Sequence, residues 1–338
     1  MIRHNKLTLD HEEIEASREV LLSGFLAQGK GVSDFEARIC NFFGLPTSNA
    51  VALSSGTSSL YISLVVLGAK NKNVAIPAYS CSSLRHALKL AGAKEILIDV
   101  EKNTPNIDIE QLNNSKAEIA IIPHMYGIPA KIGTIRKDIK IIEDCAQSIG
   151  AHINNTKVGL FGDITVLSFY ATKLMTSGGQ GGMIISKNKS YIEKARDYRE
   201  FDCRRDKKER FNFQMTDLQA SIGLVQLKKL PKFLEIRENI YKRYKNEKWN
   251  LLDTTVSSHV PVRYRAVLNH EDPGRAIKYL GASGISCIIP IEEWEILGPL
   301  EKFKNACYLS RNSLSIPLYP SLGEKQIDKI VKEINKIL

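Results

Sequence analysis

The sharpest chemical signal in the sequence is a lysine that follows an apolar run and precedes a glycine-rich stretch. Lys173 ends the segment Ser168–Lys173, and the glycine-rich stretch is Ser177–Gly182. A lysine at a strand end, held against such a turn, can lose water and become nucleophilic. The glycines let the backbone pass close to a flat ligand, and the Ser168 hydroxyl can donate to a phosphate. The alternative is a surface lysine beside a loop, which is the usual environment of a single lysine.

A second signal is a small, hydroxyl-rich turn between an apolar strand and a helix. It covers residues 54–59, with the sequence Ser-Ser-Gly-Thr-Ser-Ser. Free backbone N–H groups and the positive end of the helix make such a turn a phosphate site, to which Thr57 and Ser58 would add hydroxyl donors. The alternative is a Ser/Thr helix cap without a ligand, and the turn by itself does not decide between the two.

A third signal is a pair of carboxylates directly after an apolar strand. Ile141 and Ile142 lead into Glu143 and Asp144. Ligands of open α/β sheets bind at the carboxyl ends of the strands, so Asp144 could pair with a cationic ring nitrogen. Taken alone, a carboxylate that caps the next helix is the more common arrangement.

The elements that must position these signals alternate between strand-like and helix-like patterns. The predicted strands are Val51–Ser54, Asn73–Ile76, Glu95–Val100, Ile119–Pro123, Lys140–Glu143, Ile164–Phe169 and Gly182–Ser186. Helices are predicted over Thr57–Leu67 and Ser82–Ala91. Buried strands alternating with helices predict an α/β fold with a large, mostly parallel sheet covered by helices. If the three signals share that sheet, a phosphate cradle, an acid for a pyridinium nitrogen and a Schiff-base lysine meet at its carboxyl edge. Pyridoxal 5'-phosphate (PLP) requires that set of groups.

The pattern changes in the C-terminal third. We predict a long helix over Met215–Leu230 that ends before Pro231, and then a charged helix. Further predicted elements are strands Tyr264–Leu268 and Ile285–Ile289 and helices Pro273–Leu280 and Glu324–Leu338. We therefore expect two domains: residues 1–230 form an N-terminal segment and a large PLP-binding domain, and residues 231–338 form a smaller α+β domain.

Composition narrows the class of protein. The 338 residues include 43% hydrophobic residues, with no run long enough to cross a bilayer and no apolar signal-peptide segment at the N-terminus. We expect a cytoplasmic protein without a membrane partner.

The six cysteines are scattered, which is typical of reduced thiols and not of a metal site. The net charge of +10 is spread along the chain, so we expect no nucleic-acid partner; the charge would attract anionic substrates instead.

Ordered motifs connect the sequence to a known family. They are residues 23–29, 53–60, 76–80, 124–130, 143–151, 168–173 and 211–220. Through them the chain resembles the DegT/DnrJ/StrS family of sugar aminotransferases, within the fold-type I PLP-dependent transferases, over almost its whole length.

The resemblance assigns roles around the cofactor. Lys173 would form the Schiff base with PLP and move the proton during transamination, and Asp144 would bind the pyridine nitrogen. Gln147 would contact the ring. The phosphate would be held by three residues, Gly56, Thr57 and Ser168.

One implied residue acts between subunits. In the family, a residue at the position of Asn212 reaches the phosphate bound by the partner subunit. The resemblance therefore implies a homodimer with shared active sites. The alternative is that Asn212 caps the helix that follows it.

The sequence also departs from the family pattern. Cys81 stands where members usually carry an aromatic residue over the cofactor ring, and Tyr79 is the alternative cover. Gln180 and Gln214 replace a usual glutamate and a usual basic residue. Residues 290–294 stand where many members carry a His-containing substrate segment. These changes affect the substrate more than the cofactor chemistry.

The expected activity is transfer of an amino group from a glutamate-type donor such as L-glutamate to a nucleotide-linked keto-sugar. Such a step belongs to amino-sugar biosynthesis, as in lipopolysaccharide and other cell-surface polysaccharides. One alternative is an acidic keto-sugar without a nucleotide, which suits the positive charge. A dehydratase of the same family would carry histidine at position 173. A non-catalytic PLP-binding regulator fits poorly with intact Lys173, Asp144 and Gln147.

Overall fold

A computed structural model describes residues 1–254 and 256–338. The strands are β1 (Ala50–Leu53), β2 (Asn73–Pro77), β3 (Lys94–Ile98), β4 (Ile119–Pro123), β5 (Lys140–Asp144), β6 (His152–Ile153), β7 (Thr156–Lys157), β8 (Ile164–Ser168), β9 (Gly182–Ile185), β10 (His259–Val260), β11 (Ala266–Asn269) and β12 (Ser313–Ile316). The α-helices are α1 (His11–Ser23), α2 (Lys30–Phe43), α3 (Gly56–Val66), α4 (Ser83–Leu90), α5 (Ile109–Asn114), α6 (Lys189–Arg199), α7 (Asp217–Asn246), α8 (Pro273–Ala282), α9 (Lys304–Asn312) and α10 (Glu324–Ile334).

A seven-stranded sheet in the order β1-β9-β8-β5-β4-β2-β3 forms the centre of the molecule. Its strands run parallel except β9, which is antiparallel to both β1 and β8. The strands β1, β5 and β8 therefore all end at the same edge, and each leads into one of the three chemical signals. The predicted α/β fold with a mostly parallel sheet is confirmed, and the seven strands predicted in this region all occur within one or two residues of their expected bounds.

Helices bury both faces of this sheet, and alternation along each strand supplies both cores. In β1, Ala52 belongs to the cluster that includes Phe35 of α2, whereas Leu53 belongs to the cluster that includes Leu60 of α3. Because β1 is buried on both faces, it contains only apolar residues. The sheet edge is thereby fixed in place between two layers of helices.

The C-terminal residues have their own core around the β11–β12 hairpin. Tyr244, Leu268, Leu314 and Ile330 are buried there, together with Ile2 from the N-terminus. The division at residues 230 and 231 stays a prediction. None of the helices in the described part of the chain combines the length and the apolar character that a bilayer span needs.

Two expectations about the C-terminal part are wrong. The long helix does not end at Leu230, because α7 passes through Pro231 and continues to Asn246. Pro231 lies on the exposed side of the helix, where water can satisfy the carbonyl that loses its partner, while Leu230 and Phe233 on either side are buried. Residues 285–289 form no regular strand: they make isolated bridges through Ile285 and Ile288, and β12 pairs with β11 instead.

Candidate functional site

A cleft of about 820 Å³, its open mouth included, lies at the carboxyl ends of β1, β5 and β8. Seven of the eight predicted site residues line it: Gly56, Thr57, Cys81, Asp144, Gln147, Ser168 and Lys173. The parallel arrangement of the strands explains why residues so far apart in sequence meet here.

One end of the cleft is the first turn of α3. Ser55 and Ser58 cap this helix by exchanging hydrogen bonds, each 3.1 Å long, between side chain and backbone. The N–H groups of Gly56 and Thr57 have no acceptor in the described residues and lie at the positive end of the helix. A Cβ atom at Gly56 would lie 2.9 Å from the Cβ of Ser168. Glycine thus lets the start of the helix approach the Ser168 hydroxyl closely. The turn is a helix cap, and its unpaired N–H groups leave room for the predicted phosphate.

Asp144, the last residue of β5, has one oxygen engaged and one available. Its Oδ1 accepts a hydrogen bond from the Ala146 N–H at 2.9 Å, and no donor to Oδ2 occurs among the described residues. Burial raises the pKa of Asp144, although the Ala146 N–H and the charge of Lys173 act in the opposite direction. No helix begins directly after it, so the helix-cap alternative for Asp144 is wrong. A buried, half-satisfied carboxyl group of this kind would be stabilised by a cationic partner.

Glu143, one residue earlier, accepts hydrogen bonds at both of its carboxylate oxygens. Its carboxylate accepts three backbone N–H groups of the 159–162 loop, each at 2.8 Å, and one bond from His124 Nε2 at 3.1 Å. Because His124 Nδ1 accepts from the Ala130 N–H at 2.9 Å, the imidazole proton is assigned to Nε2. Burial opposes ionisation, but the bonds from His124 and the loop lower the pKa of Glu143.

The hydrogen bonds of His124 and Glu143 also argue against a metal site. His124, Glu143 and Cys145 have ligand atoms within 4.8 Å of one another, as in a metal site. Both imidazole nitrogens and both carboxylate oxygens are already hydrogen-bonded, so the cluster is structural. His124 also lines the cleft, although none of the three chemical signals in the sequence includes it.

Gln147 is oriented by the backbone. Its Oε1 accepts from the Tyr126 N–H at 2.8 Å, which leaves the amide NH₂ as the free donor of the side chain. Tyr126 has a φ of 58°, a left-handed conformation that is sparsely populated by residues other than glycine. Such strain often occurs at functional sites.

The two candidates for a ring cover differ in position. Cys81 is exposed and lines the cleft. Tyr79 is completely buried, and its hydroxyl lies 2.8 Å from that of Tyr126. Burial raises the pKa of Tyr79 to about 12. Tyr79 therefore supports Tyr126 from below the surface, and Cys81 is the one of the two that can contact a ligand.

Lys173 lies in the wall of the cleft, half-buried, so it is not a free surface lysine. Its Nζ is 5.5 Å from the centre of the Tyr264 ring, and no carboxylate among the described residues lies within ion-pair distance. Burial opposes ionisation of Tyr264, but the charges of Lys173 and Arg265 outweigh it and lower the pKa of the phenol. Tyr264 was not identified from the sequence, since it follows Lys173 by 91 residues.

Asn212 is the one predicted site residue outside the cleft. It is exposed, and its Oδ1 accepts from the Gln214 N–H at 3.2 Å. The cap of α7 is Thr216, which exchanges hydrogen bonds with Gln219, so the helix-cap alternative for Asn212 is wrong. A contact across a dimer involves a second subunit and stays a prediction.

The free groups of the cleft fit PLP. The N–H groups at the start of α3 and the Ser168 hydroxyl can hold a phosphate. The oxygen of Asp144 that has no donor in the described part of the chain can hold a protonated ring nitrogen. Lys173 Nζ has no counter-ion there that would compete with a cofactor.

Comparisons with known proteins agree with this geometry. Residues 7–335 match the model of the DegT/DnrJ/EryC1/StrS aminotransferase family. An uncharacterised protein of Methanocaldococcus jannaschii is 30% identical, over 98% of this chain and 96% of that one. GDP-perosamine synthase of Caulobacter vibrioides is 26% identical, over 92% and 91%. The crystal structure of the aminotransferase TlmJ from Streptoalloteichus hindustanus superimposes with a TM-score of 0.92 at 24% identity, over 99% and 98%.

Proposed function

The chain belongs to the DegT/DnrJ/EryC1/StrS aminotransferase family, whose cofactor is PLP, and on that premise we propose that it moves an amino group from a glutamate-type donor to a keto-sugar. The single observation that supports this most strongly is that one cleft contains both a buried carboxyl group and a lysine. Within residues 1–254 and 256–338, one oxygen of the carboxyl group has no donor and the lysine has no counter-ion. These are the two groups on which transamination with PLP depends.

The roles of the residues follow from their free atoms. PLP, when bound, supplies a conjugated ring that accepts the electron pair released when a C–H bond beside the amine breaks. Asp144 Oδ2 would hold the proton on the ring nitrogen. Lys173 Nζ would attach the cofactor and later carry a proton to and from the substrate carbon. The first turn of α3 and Ser168 would hold the phosphate, while Gln147 would orient the ring edge.

We propose that the acceptor is nucleotide-linked. The support is indirect: a relative named GDP-perosamine synthase spans 92% of this chain. An acidic keto-sugar without a nucleotide is the second candidate, because the net charge of +10 would attract either anion. Either reaction would serve amino-sugar biosynthesis for cell-surface polysaccharides such as lipopolysaccharide. A cytoplasmic location is proposed with it, since all six cysteines are free thiols.

The test of this function uses the two half-reactions separately. Adding L-glutamate to the PLP-loaded enzyme should remove the cofactor's visible absorbance as the amino group is transferred. A keto-sugar acceptor should then restore it, and a panel of nucleotide-linked and acidic keto-sugars identifies the substrate. A non-catalytic regulator would bind PLP and show neither change.

The proposed homodimer is tested by subunit mixing. Lys173→Ala and Asn212→Asp subunits should each be inactive, the second because a carboxylate would face the phosphate. After mixing, a heterodimer contains one site with native Lys173 and native Asn212, so activity should return. The matched control mixes Lys173→Ala with Asp144→Asn. Both residues line the cleft of the same chain, so this mixture should stay inactive. No recovery in the first mixture would contradict shared sites.

A further inference from the structure

A second cavity adjoins the cleft on the other side of Lys173. It measures about 490 Å³, its open mouth included, and its polar lining residues are His4, Asn5, Thr172, Tyr264 and Arg265. The two cavities meet at consecutive residues, since Thr172 lines one and Lys173 lines the other. The Tyr264 ring lines the second cavity, and its centre lies 5.5 Å from Lys173 Nζ and 5.3 Å from the Arg265 guanidinium carbon.

Arg265 has no anionic partner within the described residues. Its polar contacts are His4 Nε2 at 3.3 Å and Ser315 Oγ at 3.5 Å, and its other neighbours are the rings of Tyr264 and Tyr126. Arg263, two residues earlier, shows the usual arrangement, with Glu238 at 2.8 Å and Asp253 at 2.7 Å. Partial burial removes water from a guanidinium, which is unfavourable when no carboxylate compensates. Binding of an anion would offset that cost.

The contacts of Arg265 orient it without neutralising it. Burial, assisted by the charge of Arg265, lowers the pKa of His4 to about 3, so the imidazole is neutral at physiological pH. Its Nε2 lies 2.9 Å from Ser315 Oγ as well as near Arg265. Asn5 donates to the Thr172 carbonyl at 3.1 Å and fixes the N-terminal segment beside the cavity. The other N–H groups of the guanidinium form no hydrogen bond with any residue that the structure describes, so they can donate to a ligand.

We propose that Arg265 binds a carboxylate group of the substrate that reacts at Lys173. The proposal rests on the aminotransferase function proposed above and adds its specificity-determining residue. An arginine fork matches the two oxygens of a carboxylate, and the cavity beside Lys173 gives that group a place outside the cofactor cleft. The carboxylate belongs either to the amino-acid donor or to an acidic sugar acceptor.

The experiment measures binding to the PLP-loaded enzyme by calorimetry, with two unreactive probes. Glutarate represents the donor, since it has the carboxylates of glutamate without the amine, and D-glucuronate represents an acidic sugar. Arg265→Gln removes the charge and keeps a polar, though shorter, side chain. Arg275→Gln, on the exposed side of α8, removes the same charge elsewhere and is the matched control. Arg265→Lys keeps the charge, so it tests the site if the glutamine variant folds poorly.

We expect Arg265→Gln to weaken one of the two probes about 10- to 100-fold, the usual cost of a lost charge-assisted hydrogen-bond pair, while the control changes it less than about 2-fold. Arg265→Lys should give an intermediate loss. If glutarate is the affected probe, the site holds the donor; if glucuronate is affected, it holds the acceptor.

Kinetics gives an independent readout. When the donor is the ligand, Arg265→Gln raises the L-glutamate concentration for half-maximal rate and leaves the reaction of benzylamine, which has no carboxylate, unchanged. Equal binding of both probes to wild type and Arg265→Gln overturns the proposal. Absence of any half-reaction in the wild type contradicts the proposed function instead, and the probe titrations still decide the site.

Discussion

The two carboxylates at the end of β5 share a strand and a depth of burial but not a set of partners. Glu143 points to one face of the sheet and receives four hydrogen bonds, from His124 and the 159–162 loop. Asp144 points to the other face, into the cleft, and receives one. Their pKa values move in opposite directions as a result: that of Glu143 is lowered, whereas that of Asp144 is raised.

The difference shows how the end of one strand can supply one carboxylate that stabilises a loop and another that could bind a cofactor. Successive residues of a strand face opposite sides of the sheet, so a pair of adjacent acids is divided between two environments. On one side the protein supplies every donor, and the carboxylate fixes a loop. On the other side it leaves a donor missing, which a cationic ring nitrogen of the cofactor would provide. Unsatisfied buried groups of this kind mark functional sites.

The largest expected effect is on catalysis by Asp144→Asn. A neutral amide cannot keep the ring nitrogen protonated, so kcat/KM should fall at least about 1000-fold, or roughly 4 kcal/mol in the transition state. At neutral pH the free energy of unfolding of the apoprotein should rise, because the change removes a buried acid whose ionisation costs stability. Turnover assays and urea unfolding check the two parts. Near-normal turnover would refute the role of Asp144.

Glu143→Gln should reverse this pattern. The amide NH₂ would face backbone donors, so we expect a loss of about 2–4 kcal/mol in the free energy of unfolding, with kcat of the folded enzyme within about 10-fold of wild type. Glu301→Gln, at an exposed position, is the control and should change stability by less than about 0.5 kcal/mol. A stable Glu143→Gln enzyme without activity would mean that the two carboxylates have exchanged roles.

The pH dependence of apoprotein stability separates the two acids by sign. The folded pKa of Glu143 lies below its ordinary 4.5, so its stabilisation is present above that pH and is lost as the pH falls. The folded pKa of Asp144 lies above its ordinary 3.8, so its ionisation costs stability as the pH rises from there.

Unfolding curves between pH 3 and 7 test these signs. Glu143→Gln should flatten the acid side of the profile. Asp144→Asn should match the wild type at the acid end and exceed it at neutral pH. A neutral-pH loss of stability in apo Asp144→Asn would show that its carboxylate is satisfied within the protein.

The smallest effect is expected at Cys81, whose proposed contact with the face of the PLP ring does not depend on charge. Cys81→Ala removes only a thiol from an exposed position, so PLP affinity should fall by less than about 5-fold, or about 1 kcal/mol. Equilibrium dialysis with PLP measures it. A loss above 100-fold would show that Cys81 contributes more to PLP binding than the charged groups at the edge of the ring do.

The sequence predicts the cleft well where each signal is local. Residues 54–59, Asp144 and Lys173 each follow an apolar strand, and parallel strands bring such ends together. The partners of these residues are less accessible to sequence reasoning. Tyr264 and Arg265 reach the site through tertiary packing, and no local pattern distinguishes them from structural residues.

The wrong end of the long helix and the rejected cap alternative for Asn212 have a similar origin. Pro231 ends a helix by local rules, but packing on both sides of it continues α7. Asn212 has the composition of a cap, but Thr216 occupies that position because its partner Gln219 completes a capping box. In both cases, interactions formed at neighbouring residues outweigh the preference of the single residue.

The most direct test of the account is the site of cofactor attachment. The enzyme loaded with PLP is reduced with borohydride, digested, and analysed by peptide mass spectrometry. We predict that the reduced cofactor is found on the peptide that contains Lys173, and that Lys173→Ala protein carries no attached cofactor after the same treatment. Cofactor attached to a different lysine in the wild type, or still attached in Lys173→Ala, would contradict the assignment of this cleft as the active site.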